Sequence, residues 1–479
     1  MPFTTDAHKQ FEKMTQTPVP RLICSLAGPT MVSMLISAAY NLADTYFVSK
    51  LGTSATGAVG VVFSLMAIIQ AVGFMLGMGS GGVISRYLGE KRNPEATQAA
   101  STAFFTSIMV GFVITVSGLI FSDQLMRFLG ATDTILPYAQ SYAQYILYGA
   151  PIMGATFVMN NDLRAEGKAF FSMVGISIGC ILNVILDPLM IFTFHLGIAG
   201  AAIATVIGQC VSFVILIFNY IRRKTIVGIS FKHFSYKWSM HSEILKTGMP
   251  SFFRQGLASI ATIALNVSAR VYGDAAVAAM SIVGRAFFFL LAALLGFGQG
   301  FQPVAGYNYG AKCYSRLKQA FWFCVKVGFF GLLILCSLSF VFAPQIMMLF
   351  RRDDPQVIAI GTLAFRAQCA IMPLQTFVVI SNMLFQSIGK PKQATWLAVL
   401  RQGLCFLPAI LILPRFLGLL GVQISQPVAD CFTFLIALFI TLPFLRRLNG
   451  FIRSGESREA DAGFVAEPLE STNTDREEP

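Results

Sequence analysis

Long apolar stretches separated by short polar turns run along nearly the whole chain, and their lengths decide what they can form. A helix needs about 20 apolar residues to cross the hydrocarbon core of a bilayer. Twelve stretches reach that length, near 22–48, 57–82, 95–121, 137–158, 168–190, 196–220, 243–271, 278–303, 316–342, 357–381, 392–413 and 418–446. Backbone polar groups have no water to bond inside a membrane, so each stretch is expected to be a helix. The expected fold is an all-α integral membrane protein with twelve transmembrane helices.

The pattern also repeats at a shift of 221 positions. Gly28-Pro29 falls on Met249-Pro250, Gly77-Met78-Gly79 on Gly298-Gln299-Gly300, and Leu88-Gly89-Glu90-Lys91 on Tyr309-Gly310-Ala311-Lys312. Leu196-Gly197-Ile198-Ala199-Gly200 falls on Leu417-Gly418-Leu419-Leu420-Gly421. Six spans per copy let the second copy enter the membrane in the orientation of the first, so two parallel, pseudo-symmetric six-helix lobes are expected around a central path, a plan common among transporters. The expected divisions are a terminal segment at 1–21, a first lobe at 22–220, a linker at 221–242, a second lobe at 243–446 and a tail at 447–479.

Composition agrees: 55% of the 479 residues are hydrophobic and 12% charged, with a mean hydropathy of +0.67. The net charge of +12 is unevenly placed. Alternate connections hold Arg86, Lys91, Arg92, Arg164, Lys168, the run from Arg222 to Lys237, Lys312, Arg316, Lys390, Arg446 and Arg447. The opposite connections hold only Lys50, Arg127, Arg270, Arg351, Arg352 and Arg415. Basic loops stay in the cytoplasm, so both termini are expected there, in a multi-pass protein of the cytoplasmic membrane. That asymmetry accounts for the basic balance, and no nucleic-acid partner is expected. The first span runs on without a small-residue cleavage site, so no signal peptide is expected. Eight of the nine cysteines fall inside spans, where they serve as small packing residues. After Arg453 the chain turns acidic and polar, the composition of a disordered tail.

Ionisable groups within spans are costly and usually face a cavity or a partner. In the first copy the deep acids are Asp44 in span 1 and Asp187 in span 5. Asn183 precedes Asp187 by four residues and shares its helix face. Pro188 has no N–H, so it leaves the carbonyl of Val184 free. Thr205 comes from span 6, and Asn160 from the end of span 4. Two carboxylates, an amide and a hydroxyl form an oxygen-only set that suits a Na⁺ ion at Asp44, Asn183, Asp187 and Thr205, or a proton shared between two acids. The plainer alternative is that Asp44 caps a bend and Asp187 bonds to backbone beside Pro188. The repeat bears on the choice: at the 221 shift these positions become Leu265, Leu404, Pro408 and Gln426. A purely architectural set would be expected in both copies. The second copy instead holds Arg254, Arg285, Arg366 and Arg401, with Asp430 as its deep acid; Arg401 and Asp430 are expected to pair, and Arg254 and Arg285 to face the path. Met66, Gln70, Phe157 and Met159 are further candidates for the path, where adaptable side chains suit varied apolar substrates.

These residues carry a resemblance. Asn41-Leu42-Ala43-Asp44 followed by Leu51-Gly52 is similar to the first-span signature of multidrug and toxic compound extrusion (MATE) transporters. Asn160-Asn161-Asp162-Leu163-Arg164-Ala165-Glu166-Gly167, Asn183 through Asp187-Pro188, and Leu196 to Ala202 resemble the prokaryotic branch that includes DinF- and MepA-type exporters. The likeness spans about residues 20–450. It implies an antiporter that expels small amphipathic compounds as Na⁺ or H⁺ enters, with no cofactor, and with Asp44, Asn160, Asn183, Asp187 and Thr205 at the family's cation-binding positions. Another branch of the family places an acid in span 7; here that region, Pro250 to Leu257, has none. One chain holds both lobes, so a monomer surrounded by membrane lipids is expected to suffice. Of the rival classes, a major-facilitator transporter would place an Asp before Arg86, where Ser85 stands. A lipid-linked precursor flippase of the same superfamily could use the second-lobe arginines to hold a phosphate. An intramembrane enzyme lacks its base, because His8, His195, His233 and His241 all lie outside deep spans.

Overall fold

In the computed structural model, residues 5–51, 53–350, 354–455 and 457 are described, and among them every regular element is helical. The helices are α1 (Thr5–Gln16), α2 (Val19–Ser49), α3 (Thr53–Gly89), α4 (Asn93–Ile120), α5 (Ser122–Phe128), α6 (Leu136–Ala165), α7 (Ala169–Pro188) and α8 (Gly197–Ile221). They continue as α9 (Trp238–Arg270), α10 (Asp274–Gly310), α11 (Tyr314–Val341), α12 (Ala343–Phe350), α13 (Pro355–Ser387), α14 (Pro391–Val399), α15 (Leu407–Leu417) and α16 (Leu419–Arg453). Short π-helical turns, Leu189–Thr193 and Leu400–Phe406, extend α7 and join α14 to α15. The spans are therefore α2, α3, α4, α6, α7 and α8, then α9, α10, α11, α13, α14–α15 and α16. Ten of them are long and apolar enough to cross a membrane on composition alone. The other two, α6 and α9, have 30 and 33 residues but carry polar groups near one end, Asn160, Asn161, Asp162 and Arg164 in α6 and His241, Glu243 and Lys246 in α9, with Arg254 at the midpoint of α9. The acidic tail beyond 457 lies outside the described residues, as do Arg351 and Arg352.

Several helices overrun the apolar stretches that predict them. α3 continues to Gly89, α6 to Ala165, α10 to Gly310 and α13 to Ser387. Hydropathy marks where hydrocarbon ends, whereas helical hydrogen bonds continue into the interface as long as the backbone allows. The overruns all lie on the face where the described chain begins and ends, here called the terminal face.

Within the first lobe α6 packs against α3, α4 and α8, and α7 against α2 and α8. Within the second, α13 packs against α10, α11 and α16, and α9 against α14 and α15. The lobes meet along α2–α10, α3–α9 and α3–α10. These contacts are nearly bare backbone. A Cβ on Gly79 would collide with the Ile244 carbonyl, and one on Gly248 with the Met75 carbonyl. The 221 shift maps these positions onto Gly300 and Ala27, and Gly300 packs directly on the Ala27 backbone. Gly89 against Tyr307 and Gly310 against Arg86 form a second symmetric pair, with Gly306 against Ser85 between them. A pseudo-twofold axis thus runs between the lobes, and each of these approaches lies in the half of its helix nearer the terminal face. Polar bonds lock the same half. Arg86 Nη2 meets Glu243 Oε1 at 2.5 Å, and Tyr87 Oη donates to Glu243 Oε2 at 2.7 Å. Helix α1 bridges the lobes: Gln10 Nε2 donates to the Glu166 carbonyl at 2.9 Å, and Asn308 Nδ2 to the Met14 carbonyl at 3.2 Å.

Candidate functional site

The acid cluster depends on close packing of α7 against α8. Gly179 and Gly208 let the two backbones touch, since a Cβ on Gly208 would come within 2.8 Å of the Gly179 carbonyl. One turn farther on each helix, Asn183 and Thr205 are face to face. In the amide orientation that serves both neighbours, Asn183 Nδ2 donates to Asp187 Oδ2 at 3.2 Å. Its Oδ1 accepts from Thr205 N at 2.9 Å and from Thr205 Oγ1 at 3.2 Å. Helix α2 packs on α7 and brings Asp44 within Coulomb range of Asp187. Asp44 is 6% exposed and Asp187 0%. One oxygen of each, Asp44 Oδ1 and Asp187 Oδ1, is buried without a hydrogen-bond partner. Buried polar atoms are nearly always satisfied, so two orphan carboxylate oxygens in one cluster suit a bound cation or proton.

Two tyrosines complete the cluster. Tyr40 of α2 and the buried Tyr142 of α6 both feel the charges of Asp44 and Asp187. Tyr40 stands four residues before Asp44 and shares its helix face, a signal available in the sequence. Tyr142 has no such signal, because only tertiary packing brings α6 to this point.

Asn160 is elsewhere. Its amide donates to Ser172 Oγ at 2.7 Å, at the start of α7. Ser172 and Asp187 are 15 residues apart on one helix, about 22 Å along its axis. The structure therefore gathers Asp44, Asn183, Asp187 and Thr205 and leaves Asn160 near the terminal face. Two path candidates also move. Met66 is 5% exposed and Met159 0%, so both are packing residues inside the first lobe rather than lining of a path. Adaptable side chains fill irregular cores as readily as they meet substrates. Gln70 is half-buried on α3, and Phe157 packs against Gly73 and, ring on ring, against Phe74 at 4.8 Å.

In the second lobe Arg401 Nε meets Asp430 Oδ1 at 3.1 Å, and Gln426 Nε2 donates to the same oxygen at 2.9 Å. That acid is paired, as expected. Arg254 reaches across the seam to Met78 Sδ at 3.4 Å, while Arg285 is exposed on α10. Arg164, half of a bridge that the sequence does not reveal, bonds Asn161 Oδ1 at 2.5 Å and crosses the seam to Gln299 Oε1. Among the described residues no group of three or more His, Cys, Asp or Glu forms a metal site.

Comparison with known proteins agrees with the two-lobed helical fold. A family model described as MatE matches residues 29–189 and again 250–411, two matches whose starts stand 221 residues apart. The chain is 28% identical over 432 residues to the multidrug export protein MepA of Staphylococcus haemolyticus, covering 88% of this chain and 93% of that protein. MepA of Staphylococcus aureus strain N315 is also 28% identical, over 92% of this chain and 96% of its own length. Among solved structures, an outward-facing multidrug resistance MATE transporter of the MOP superfamily superposes with a TM-score of 0.88 at 28% identity, covering 92% of this chain and 99% of that one. A MOP superfamily transporter from Pyrococcus furiosus, with a binding pocket described as of reverse polarity, superposes with a TM-score of 0.87.

Proposed function

The chain belongs to the MatE family of multidrug and toxic compound extrusion transporters, and on that premise we propose that it exports amphipathic organic compounds in exchange for Na⁺ or H⁺ bound in the first lobe. As a member of that family it is a multi-pass membrane transporter and not an enzyme. The coupling site in this reading is Asp44, Asn183, Asp187 and Thr205, with Tyr40 and Tyr142 as flanking hydroxyls. One observation carries it: two buried acids with orphan oxygens, present in one repeat and replaced by leucine and proline in the other.

The mechanism follows from the energetics of that pocket. Two ionised carboxylates held together away from water repel each other and lose hydration, so neutralising one of them favours the packed arrangement. An ion can drive export only through its different affinities for the two conformations of the lobes. The seam through Gly79, Gly248 and Gly300 closes the terminal face, which this reading places in the cytoplasm with both termini, in the cytoplasmic membrane. The cleft between the lobes then opens outward, and Arg254 and Arg285 face it from the second lobe. These two arginines also favour a second reading, a flippase that grips the phosphate of a lipid-linked precursor.

Dye efflux from proteoliposomes under separately imposed Na⁺ and proton gradients tests the proposal. Acceleration by one gradient supports coupling and names the ion. Transport of a lipid-linked phosphate, with no efflux of cationic dyes under either gradient, would favour the flippase.

A further inference from the structure

A cavity of about 250 Å³ lies away from the acid cluster, where α3 and α4 of the first lobe meet the start of α9 in the second. Its two ends differ. At one end are Trp238 and His241, the first turn of α9, and Thr106 of α4. The Thr106 Oγ1 atom is buried and has no hydrogen-bond partner. At the other end are Val110, one turn farther along α4, and Val72, one turn farther along α3 from the terminal face.

The linker fixes where this cavity sits relative to the membrane surface. It lies on α4 just before Thr106: the Gly228 carbonyl accepts from Ser101 Oγ at 3.1 Å, Ser235 N donates to Thr102 Oγ1 at 3.0 Å, and Phe231 stacks edge-on with Phe105 at 5.4 Å. Along this level Phe231, Tyr236 and Trp238 are 66%, 79% and 74% exposed, the behaviour of an interfacial aromatic belt. Lys232 and Lys237 are exposed beside them, and residues 222–242 contain no acid. The next acid, Glu243, is already held by Arg86 and Tyr87. A basic and aromatic rim, one unpaired hydroxyl just below it, and an apolar depth follow the order of headgroup, ester and acyl chain.

We propose that this cavity binds one acyl chain of an anionic glycerophospholipid from the leaflet on the terminal face, with Thr106 donating to an ester oxygen and Lys232 and Lys237 facing the headgroup phosphate. The identification of that leaflet as cytoplasmic rests on the orientation given above; the binding itself does not. Because the walls come from both lobes, a lipid seated here favours the arrangement seen in this structure and opposes the movement that would part α9 from α3 and α4.

The test uses the purified, delipidated full chain with phosphatidylglycerol or phosphatidylethanolamine added back, read by native mass spectrometry. The expected result is one tightly retained phosphatidylglycerol per chain and markedly weaker retention of phosphatidylethanolamine. Lys232→Gln with Lys237→Gln should weaken phosphatidylglycerol retention roughly thirtyfold, given about 1 kcal/mol for each basic residue at an anionic surface. Val110→Phe fills the apolar end from α4 and Leu245→Phe fills it from α9, so the outcome does not hang on one variant folding; either should abolish tight retention. Equal retention of both lipids by the parent and all variants would overturn the proposal. So would displacement of phosphatidylglycerol by ethidium at matched concentrations, which would make the cavity a lateral entrance for cations. Transport assays play no part in these readouts, so failure here and failure of the coupling proposal are separable.

Discussion

The two lobes share a scaffold and differ in how each treats its buried acids. In the second lobe Asp430 has Arg401 and Gln426 within hydrogen-bonding distance. In the first, Asp187 receives one amide bond and Asp44 is left with an unpartnered oxygen, though both are as deeply placed. Packing alone cannot require the unpaired acids, because the copy related by the pseudo-twofold axis folds with Leu265 and Pro408 in their places. The second lobe has settled its charge permanently with a fixed partner. The first leaves its charge to be settled by something mobile.

The comparison breaks most sharply at the acids themselves. Asp44→Asn and Asp187→Asn should each abolish gradient-driven efflux while the protein still reaches the membrane, as measured by dye export beside quantified membrane protein. Leu265→Ala at the equivalent second-lobe position should keep transport. If both aspartate variants exported with unchanged ion dependence, the coupling site would lie elsewhere.

The second-lobe pair should respond in the opposite sense. Arg401→Ala strands Asp430 and should cost about 3–5 kcal/mol of stability, the usual penalty for removing one partner of a buried pair. Replacing both residues with apolar ones, Arg401→Met with Asp430→Leu, should restore most of that loss. Asp187→Asn removes a charge that has no fixed partner and should leave the melting temperature level or raised. Thermal unfolding in detergent distinguishes the three variants.

Smaller effects belong to the neutral ligands. Asn183→Ala and Thr205→Ala each remove one oxygen, and each should shift the ion concentration for half-maximal efflux by about tenfold, the scale of a single hydrogen bond. Titrating efflux against Na⁺ and against pH would show whether the two shifts are similar. Unchanged half-maximal concentrations would remove these residues from the site.

The smallest difference concerns Glu166, whose position in the second copy is Ser387. Its carboxylate accepts from Ile226 N at 2.7 Å and Val227 N at 3.4 Å, fastening the linker to the first lobe. Burial pushes this carboxyl up to about 7, against the opposing influence of Lys168 and the two amides. A folded-state value above that of the unfolded chain means that the fold holds the proton more tightly. The resulting stability is complete below the ordinary carboxylate range and is lost as pH rises through about 7. The melting temperature of the parent should therefore fall slightly more between pH 5 and pH 8 than that of Glu166→Gln. Parallel curves would show that Glu166 does not titrate in this window.

Much of this contrast is legible in the sequence because it rests on local spacing. The four-residue step from Asn183 to Asp187 is enough by itself to fix a shared helix face, and the 221 shift exposes the empty counterpart. Tyr40 obeys the same four-residue rule relative to Asp44 and is open to the same reading. Tyr142 is not, since it enters through the packing of α6 on α8, and side-chain spacing within one helix says nothing of the neighbour. Asn160 fails for the converse reason: its place near an acid-bearing span suggests nearness, but the α6–α7 turn returns it to Ser172 at the wrong end of α7. Met66 and Met159 are ambiguous in sequence, because apolar side chains that pack a core and those that line a cleft share one composition.

The bare-backbone contacts at the seam tie the histories of the two copies together. Side chains that meet across an ordinary interface can be revised one at a time, each tolerating some change in the other. At Gly79 against Ile244 and Gly248 against Met75 there is no side chain to yield, so a single added methyl group meets a carbonyl. A duplicated gene is usually free to let its halves drift, and the acids of this chain show how far such drift can go. Its glycines mark where that freedom stops: a change in one half becomes heritable there only when its partner in the other half, far away along the chain, already has room for it.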